Sequence, residues 1–227
     1  MSIVNRRYSA FAAEEARAGL RNLLSFVNHP ANYSSEMFKL GCLLGKLLND
    51  RISRSKSCLV ATTAEDADFL GRGIYDTLKQ EHTTKAAVFW NNHYLTPGGS
   101  SIAPLVHKFL EPGYESTQVL IIAKSVISGS CVVRTNLLEL IEDIQPQQIF
   151  IVAPVMHRTS EVSLRKEFPP SIADKFEFVA FATDDERTES GEVKPGIGGE
   201  VYPLLGLLDQ PARTGFMPKL VQELAAL

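Results

Sequence analysis

Val119, Leu120, Ile121 and Ile122 follow one another with no polar interruption, and so short an apolar run has few places to go in a folded chain. A strand with one wet face alternates polar and apolar residues; an unbroken run fits a strand buried on both faces, as in a parallel sheet. Directly after it come the small and hydroxyl residues Ser125, Ser128, Gly129, Ser130 and Cys131. A helical pattern follows, with Val132, Val133, Leu137, Leu138, Leu140 and Ile141 apolar and Arg134, Asn136, Glu139 and Glu142 polar. Strand, small-residue loop and helix start is the layout that holds a phosphate. Loop amides and the positive end of the helix dipole face the anion, and a glycine lets the backbone approach closely. The same layout also serves as an ordinary βα turn that binds nothing.

The rest of the chain repeats the alternation. Two amphipathic helices come first: one over residues 9–27 with Ser9 in the N-cap position, and one starting after Tyr33 with Ser34 or Ser35 as cap. Gly41 and Gly45 fall on one face of the second helix and predict a closely packed neighbour. After a polar connector, strands are expected at 58–61, 86–90, 148–153 and 176–182. Between them lie a helix from Thr62 or Thr63 to about residue 80 and a short one over 161–175, broken near Pro169-Pro170; a last helix spans 219–227. Residues 91–104, centred on Pro97-Gly98-Gly99-Ser100-Ser101, read as a mobile loop or flap, and residues 192–199 form a second glycine-rich loop. The pattern predicts an α/β fold, a mostly parallel twisted sheet flanked by helices. An N-terminal helical segment over 1–55 would pack on an α/β domain over 56–227. Ligands of such sheets sit at the carboxyl ends of the strands, where all these loops fall.

Composition narrows the function classes. A formal charge of −3 gives no footprint for nucleic acid, and no apolar run approaches membrane-spanning length. The N-terminal residues lack an apolar signal-peptide core, so a cytoplasmic protein is expected. Cys42, Cys58 and Cys131 are widely spaced, form no CxxC or Cys/His cluster and predict reduced thiols and no zinc site.

Three stretches, in order, resemble uracil phosphoribosyltransferase. Ser34-Ser35-Glu36-Met37-Phe38-Lys39 looks like that family's early helix start, with its Thr/Ser–Phe–Arg pattern. Residues 118–133 look like the loop that holds 5-phosphoribosyl 1-pyrophosphate (PRPP). Residues 182–207 are similar to the uracil-binding hood, with Pro195-Gly196-Ile197-Gly198, Asp185-Glu186 and Gly191 matching, and residues 108–112 also fit. The likeness runs from about residue 30 to about residue 210. It implies a phosphoribosyltransferase-like fold, with a hood at about 183–207, and transfer of ribose 5-phosphate from PRPP to a pyrimidine-like base through an oxocarbenium-like transition state. It also implies a magnesium ion on the PRPP oxygens, a nucleotide or PRPP-like ligand and a homodimer. By position, the resemblance assigns phosphate binding to Ser125, Ser128, Gly129, Ser130 and Cys131, and base binding to Lys194, Pro195, Gly196, Ile197, Gly198 and Gly199. No metal ligand is assigned. Asp184, Asp185 and Glu186 are the candidates for acid chemistry. His157, at a strand end, reads more readily as structural, and Phe89 and Trp90 as core.

The chain also departs from the family pattern. Ala123 stands where the family has the Asp that contacts the ribose hydroxyls, and Lys124-Ser125 where it has Pro-Met. Ser128-Gly129-Ser130-Cys131 replaces Thr-Gly-Gly-Ser. The pyrophosphate loop, normally Arg-Ala-Gly, reads Thr62-Thr63-Ala64-Glu65-Asp66, Asn91 replaces a further arginine, and Glu192 a tyrosine. Charge-assisted contacts contribute about 1.5–3 kcal/mol each, so lost cations and added acids weaken PRPP binding by orders of magnitude unless Lys124, Lys194 or Arg187 compensates. Three readings stay open: a nucleotide-binding protein with transferase activity, an inactive relative acting as a regulatory or scaffold subunit, and an enzyme of altered chemistry built on Asp184 to Glu186.

Overall fold

The computed structural model describes residues 6–96 and 101–226, so Pro97, Gly98, Gly99 and Ser100 at the centre of the expected flap lie outside the described residues. The described residues begin with a strand the sequence pattern does not show, β1 (Arg6–Tyr8). Ser9 is not a helix cap. Its hydroxyl donates to the Ala180 carbonyl and ties β1 to its neighbour in the sheet. Helix α1 (Glu14–Ser25) starts later, with Glu14 and Glu15 in its first turn, where carboxylates suit the helix dipole. Helix α2 (Pro30–Asn49) starts earlier than expected because Pro30 fits the first helical position, where no amide is needed. Its inner stripe is Met37, Leu40, Leu44 and Leu48.

Strand β2 (Cys58–Thr63) is buried throughout. In place of one long helix after it, a π-helical turn (Ala67–Gly71) leads into α3 (Arg72–Leu78). This helix is the close neighbour that Gly41 and Gly45 predict: a Cβ on Gly73 would fall on the Phe38 carbonyl and lie 2.8 Å from the Cys42 amide. Strand β3 (Thr84–Asn91) is followed by the small hairpin of β4 (Tyr94–Leu95) and β5 (Ser101–Ile102) and by β6 (Leu105–Leu110). Then come β7 (Val119–Ala123), β8 (Val126–Ile127) and α4 (Cys131–Ile144). Strand β9 (Gln148–His157) runs on through Pro154. The proline falls between the pairing of β9 with β7, which ends at Val152, and its pairing with β8, which begins at Val155. A residue without an amide hydrogen is tolerated at such a break. Helices α5 (Ser160–Lys166) and α6 (Pro170–Ala173) flank the Pro169-Pro170 break as expected. Strand β10 (Phe176–Asp184), the hairpin β11 (Glu186–Arg187) with β12 (Val193–Lys194), and the short helices α7 (Val201–Leu204), α8 (Pro211–Thr214) and α9 (Lys219–Leu224) complete the fold.

The sheet order is β1-β10-β9-β7-β2-β3-β6, with β8 alongside β9. The inner strands β10, β9, β7, β2 and β3 are parallel; β1 and β6 close the two edges antiparallel. Successive residues of β2 serve opposite cores. Cys58 and Val60 join the cluster under α1, α2 and α3, while Leu59 and Ala61 join the one under α4. Two-sided burial is the physical reason for the unbroken apolar runs. Trp90 is core as expected, its indole N–H donating to the Phe216 carbonyl at 2.8 Å. No helix among the described residues is long and apolar enough to cross a membrane.

The α2–α3 contact gives the first prediction. Gly73→Val should cost about 1–3 kcal/mol or more in urea unfolding, because it overpacks backbone against backbone. Gly129→Ala, whose Cβ would meet nothing within 4 Å, should leave the midpoint unchanged.

Candidate functional site

At the carboxyl edge of the sheet lies a cavity of about 890 Å³. Its walls come from the ends of β2, β3 and β7, the β8–α4 loop and the hood. Ser128, Gly129, Ser130 and Cys131 line it, so the small-residue loop is where the layout predicts. Ser130 precedes α4 without capping it; its hydroxyl donates instead to the Glu167 carboxylate, whose other oxygen pairs with Arg134 at 3.0 Å. Gly129 lies on the open side, where a Cβ would meet nothing within 4 Å, so the loop has no need of glycine to hold its own shape. Burial pushes the Cys131 thiol up from its ordinary value. A raised thiol pKa is the wrong direction for a nucleophile.

Ser125 is elsewhere. It is fully buried, its amide donates to Asp66 Oδ2 at 3.0 Å, and it does not line the cavity. It is part of the strand-end framework and is not placed to touch a phosphate in the cavity.

The floor is built from the ends of two paired strands. Thr62 of β2 lies opposite Ala123 of β7, so the residues just beyond them are neighbours. Lys124 Nζ donates to Glu65 Oε1 at 2.9 Å and to Asp66 Oδ2 at 3.2 Å. The three side chains are only 13%, 7% and 0% exposed. Burial pulls the Lys124 ammonium down, but the Asp66 and Glu65 carboxylates outweigh it, and the group is held above the ordinary lysine value. Lys124 is therefore charged, and its charge is spent: one ammonium faces two carboxylates, and the cluster keeps a net negative charge. Asn91 uses Nδ2 on Asn136 Oδ1 (2.8 Å) and on the Ala103 carbonyl (3.3 Å). Tyr202 and His93 also face the cavity, and sequence reasoning did not assign either a role. Burial, then Glu65, holds the Tyr202 phenol well above its usual value, so it stays protonated as a donor. Burial, then Lys124, lowers His93, which is neutral at pH 7.

The hood has the expected glycine-rich shape, yet its acids do not serve the cavity. Asp184 is fully buried, accepts from Arg6 Nε (2.8 Å) and NH2 (2.7 Å), and accepts the Gly196 amide at 2.8 Å. Arg6 also donates to the Gly196 carbonyl. Gly196 sits at φ 55° beside the cis Lys194–Pro195 peptide, and Tyr33 donates its hydroxyl to the Ile197 carbonyl at 2.8 Å. Asp185 pairs with Arg7 at the surface (2.9 Å), and Glu186 is exposed on β11. None of these three acids lines the cavity, so the structure does not place them as its acid residues. Of the expected base-binding residues, Ile197 and Gly199 line the cavity, whereas Lys194, Pro195, Gly196 and Gly198 do not. His157 is structural, bonded to the Thr159 hydroxyl (2.9 Å) and the Asp185 carbonyl (3.2 Å).

The donor set does not fit the magnesium that the resemblance implies. Ala123 offers no oxygen from its side chain, Glu65 and Asp66 already hold Lys124, and no three His, Cys, Asp or Glu residues among those described converge on a metal position.

No protein-family model matches the chain, and neither does any curated protein. Among solved structures, the AQ2163 protein of Aquifex aeolicus is similar with a TM-score of 0.67 at 12% identity, over 86% of this chain and 95% of that one. An adenine phosphoribosyltransferase of Trypanosoma brucei, in complex with AMP, pyrophosphate and ribose-5-phosphate, gives a TM-score of 0.46 at 10% identity, over 71% of this chain and 70% of that one. A hypoxanthine-guanine phosphoribosyltransferase of L. donovani gives 0.43 at 8%, over 73% and 86%. The first score shows a shared fold; the other two fall below that level.

The hood geometry yields a prediction. Arg6→Met leaves Asp184 buried without a counter-ion and should cost about 3–5 kcal/mol in urea unfolding. In the folded fraction, hydrogen exchange at the Gly196 amide should accelerate; unchanged protection there would mean that the hood holds its shape without β1.

Proposed function

We propose that this protein binds a small phosphorylated ligand of the nucleotide kind at the carboxyl edge of its sheet, and that it does not transfer phosphoribosyl groups from PRPP. It would act as an inactive, regulatory or scaffold relative of phosphoribosyltransferases. The observation that carries this reading is the state of Lys124, the lysine that follows the apolar strand. Held between Glu65 and Asp66, it leaves a net negative charge where pyrophosphate would lie. One uncompensated charge about 5 Å from an anionic oxygen costs roughly 3 kcal/mol at an effective dielectric constant of about 20. Pyrophosphate carries several charges, so the penalty outweighs what one partly exposed cation such as Arg187 returns.

The other side of the cavity supports a single phosphate. Ser128–Ser130 and the first residues of α4 line it, and the Cys131, Val132 and Val133 amides lie in the first turn, where no carbonyl within the helix reaches them. Ile197 and Gly199 of the hood offer a wall against which a flat base can lie. UMP is the nucleotide that the sequence resemblance favours.

Isothermal titration of the full chain with UMP, AMP and PRPP plus magnesium tests the reading. A monophosphate should bind, PRPP should bind no tighter than the monophosphate, and uracil with PRPP should yield no UMP. Formation of UMP at an enzymatic rate would contradict it. Gly129→Asp should abolish monophosphate binding while the urea midpoint stays put, since its side chain enters open space and adds a negative charge.

A further inference from the structure

The side of the cavity under β2 and β3 presents hydrogen-bond acceptors, one of them buried and without a donor. Glu65 is buried to 6% exposure and lines the cavity; Oε1 holds Lys124, and no described residue donates to Oε2. Asn91 is 7% exposed and lines the same wall; its Nδ2 is fully used, and its Oδ1 has no partner. Glu189, Glu192 and Glu200 of the hood complete an acidic lining, against which Arg187 donates to the Thr159 hydroxyl and Lys124 is already paired. A buried acceptor left unmet costs about 1–3 kcal/mol, and Asn91 Oδ1 is one; Glu65 Oε2 adds a carboxylate oxygen to the same wall.

We infer that the cavity receives an amino or ammonium group on its Glu65–Asn91 side, so that its ligand is an amine-bearing sugar phosphate or nucleotide and not a polyphosphate. The inference rests on the phosphate reading proposed above for the Ser128–Cys131 side. An ammonium supplies three donors and a positive charge to a wall that holds a carboxylate oxygen and an amide oxygen without donors. An anion meets the opposite of what it needs on that wall. The two sides are built from different elements of one cavity: β8, beside β9, leads into the phosphate side, and β2 and β3 end at the amine side. Tyr202, near Glu65, Lys124 and Glu200, can donate to a ring or hydroxyl oxygen of the same ligand.

Glucosamine 6-phosphate and glucose 6-phosphate differ only in ammonium against hydroxyl and serve as the matched probes. Titrated into the full chain at low salt, the amino sugar should bind at least tenfold tighter. In Glu65→Gln the preference should fall to near unity. Should that variant not fold, Glu200→Gln, on the exposed residue before α7, should narrow the preference severalfold. Equal affinities, a failure of both sugars to bind, or a preference unchanged in every folded variant would overturn the inference. Equal binding of both sugars that is still lost in Gly129→Asp would remove the amine assignment alone and leave the phosphate side standing. Absence of UMP, AMP and sugar-phosphate binding together would remove both.

Discussion

Lys124 follows the central strand directly, and its ammonium is largely removed from water between Glu65 and Asp66. Removing such a charge from solvent is costly, and only a well-made set of contacts offsets it. Asp66 makes that set: one oxygen takes Lys124, the Ser125 amide and the Thr63 hydroxyl. The ends of β2 and β7 are therefore fixed to each other, and the chain after β2 must turn with its acids pointing back at β7. A π-helical turn follows and leads into α3. The same contacts set the sign of the cavity. A lysine that would otherwise attract anions is neutralised, and a carboxylate with an unused oxygen remains at the wall.

A second buried charge pair governs the other side. Arg6 reaches across from the edge strand β1 to Asp184 at the end of β10, and both touch the backbone of Gly196. The hood is thus held from the sheet's edge, far along the sequence from the residues that shape it. Buried pairs of this kind are weak evidence for stability as such, but breaking one leaves a charge with nowhere to go. Among the charged residues of the cavity lining, Glu65, Glu189, Glu192 and Glu200 outnumber Lys124 and Arg187.

The buried strands were legible because two-sided burial writes an uninterrupted apolar run, and Val119–Ile122 and Cys58–Ala61 show it plainly. Close packing of α2 was legible from Gly41 and Gly45. Strand β1 was not: Arg6 and Arg7 look like a solvated pair, and only the fold supplies Asp184 and Asp185 as partners. The site was legible in its loops and misleading in its acids. Ser128 to Cys131 line the cavity, whereas Asp184, a candidate for acid chemistry, is consumed by structure. The Glu65–Lys124 contact was within reach, because adjacent parallel strands that end together place the next residues side by side. His93 and Tyr202 gave no signal, since each owes its position in the cavity to long-range packing.

The central claim is that Lys124 is electrostatically spent. Pyrophosphate affinity of the native chain and of Glu65→Gln, measured by calorimetry at low salt, tests it most directly. Releasing one carboxylate from the lysine should raise affinity more than tenfold from a very weak starting value. Tight pyrophosphate binding by the native chain, or equal affinity in the two proteins, would contradict the account.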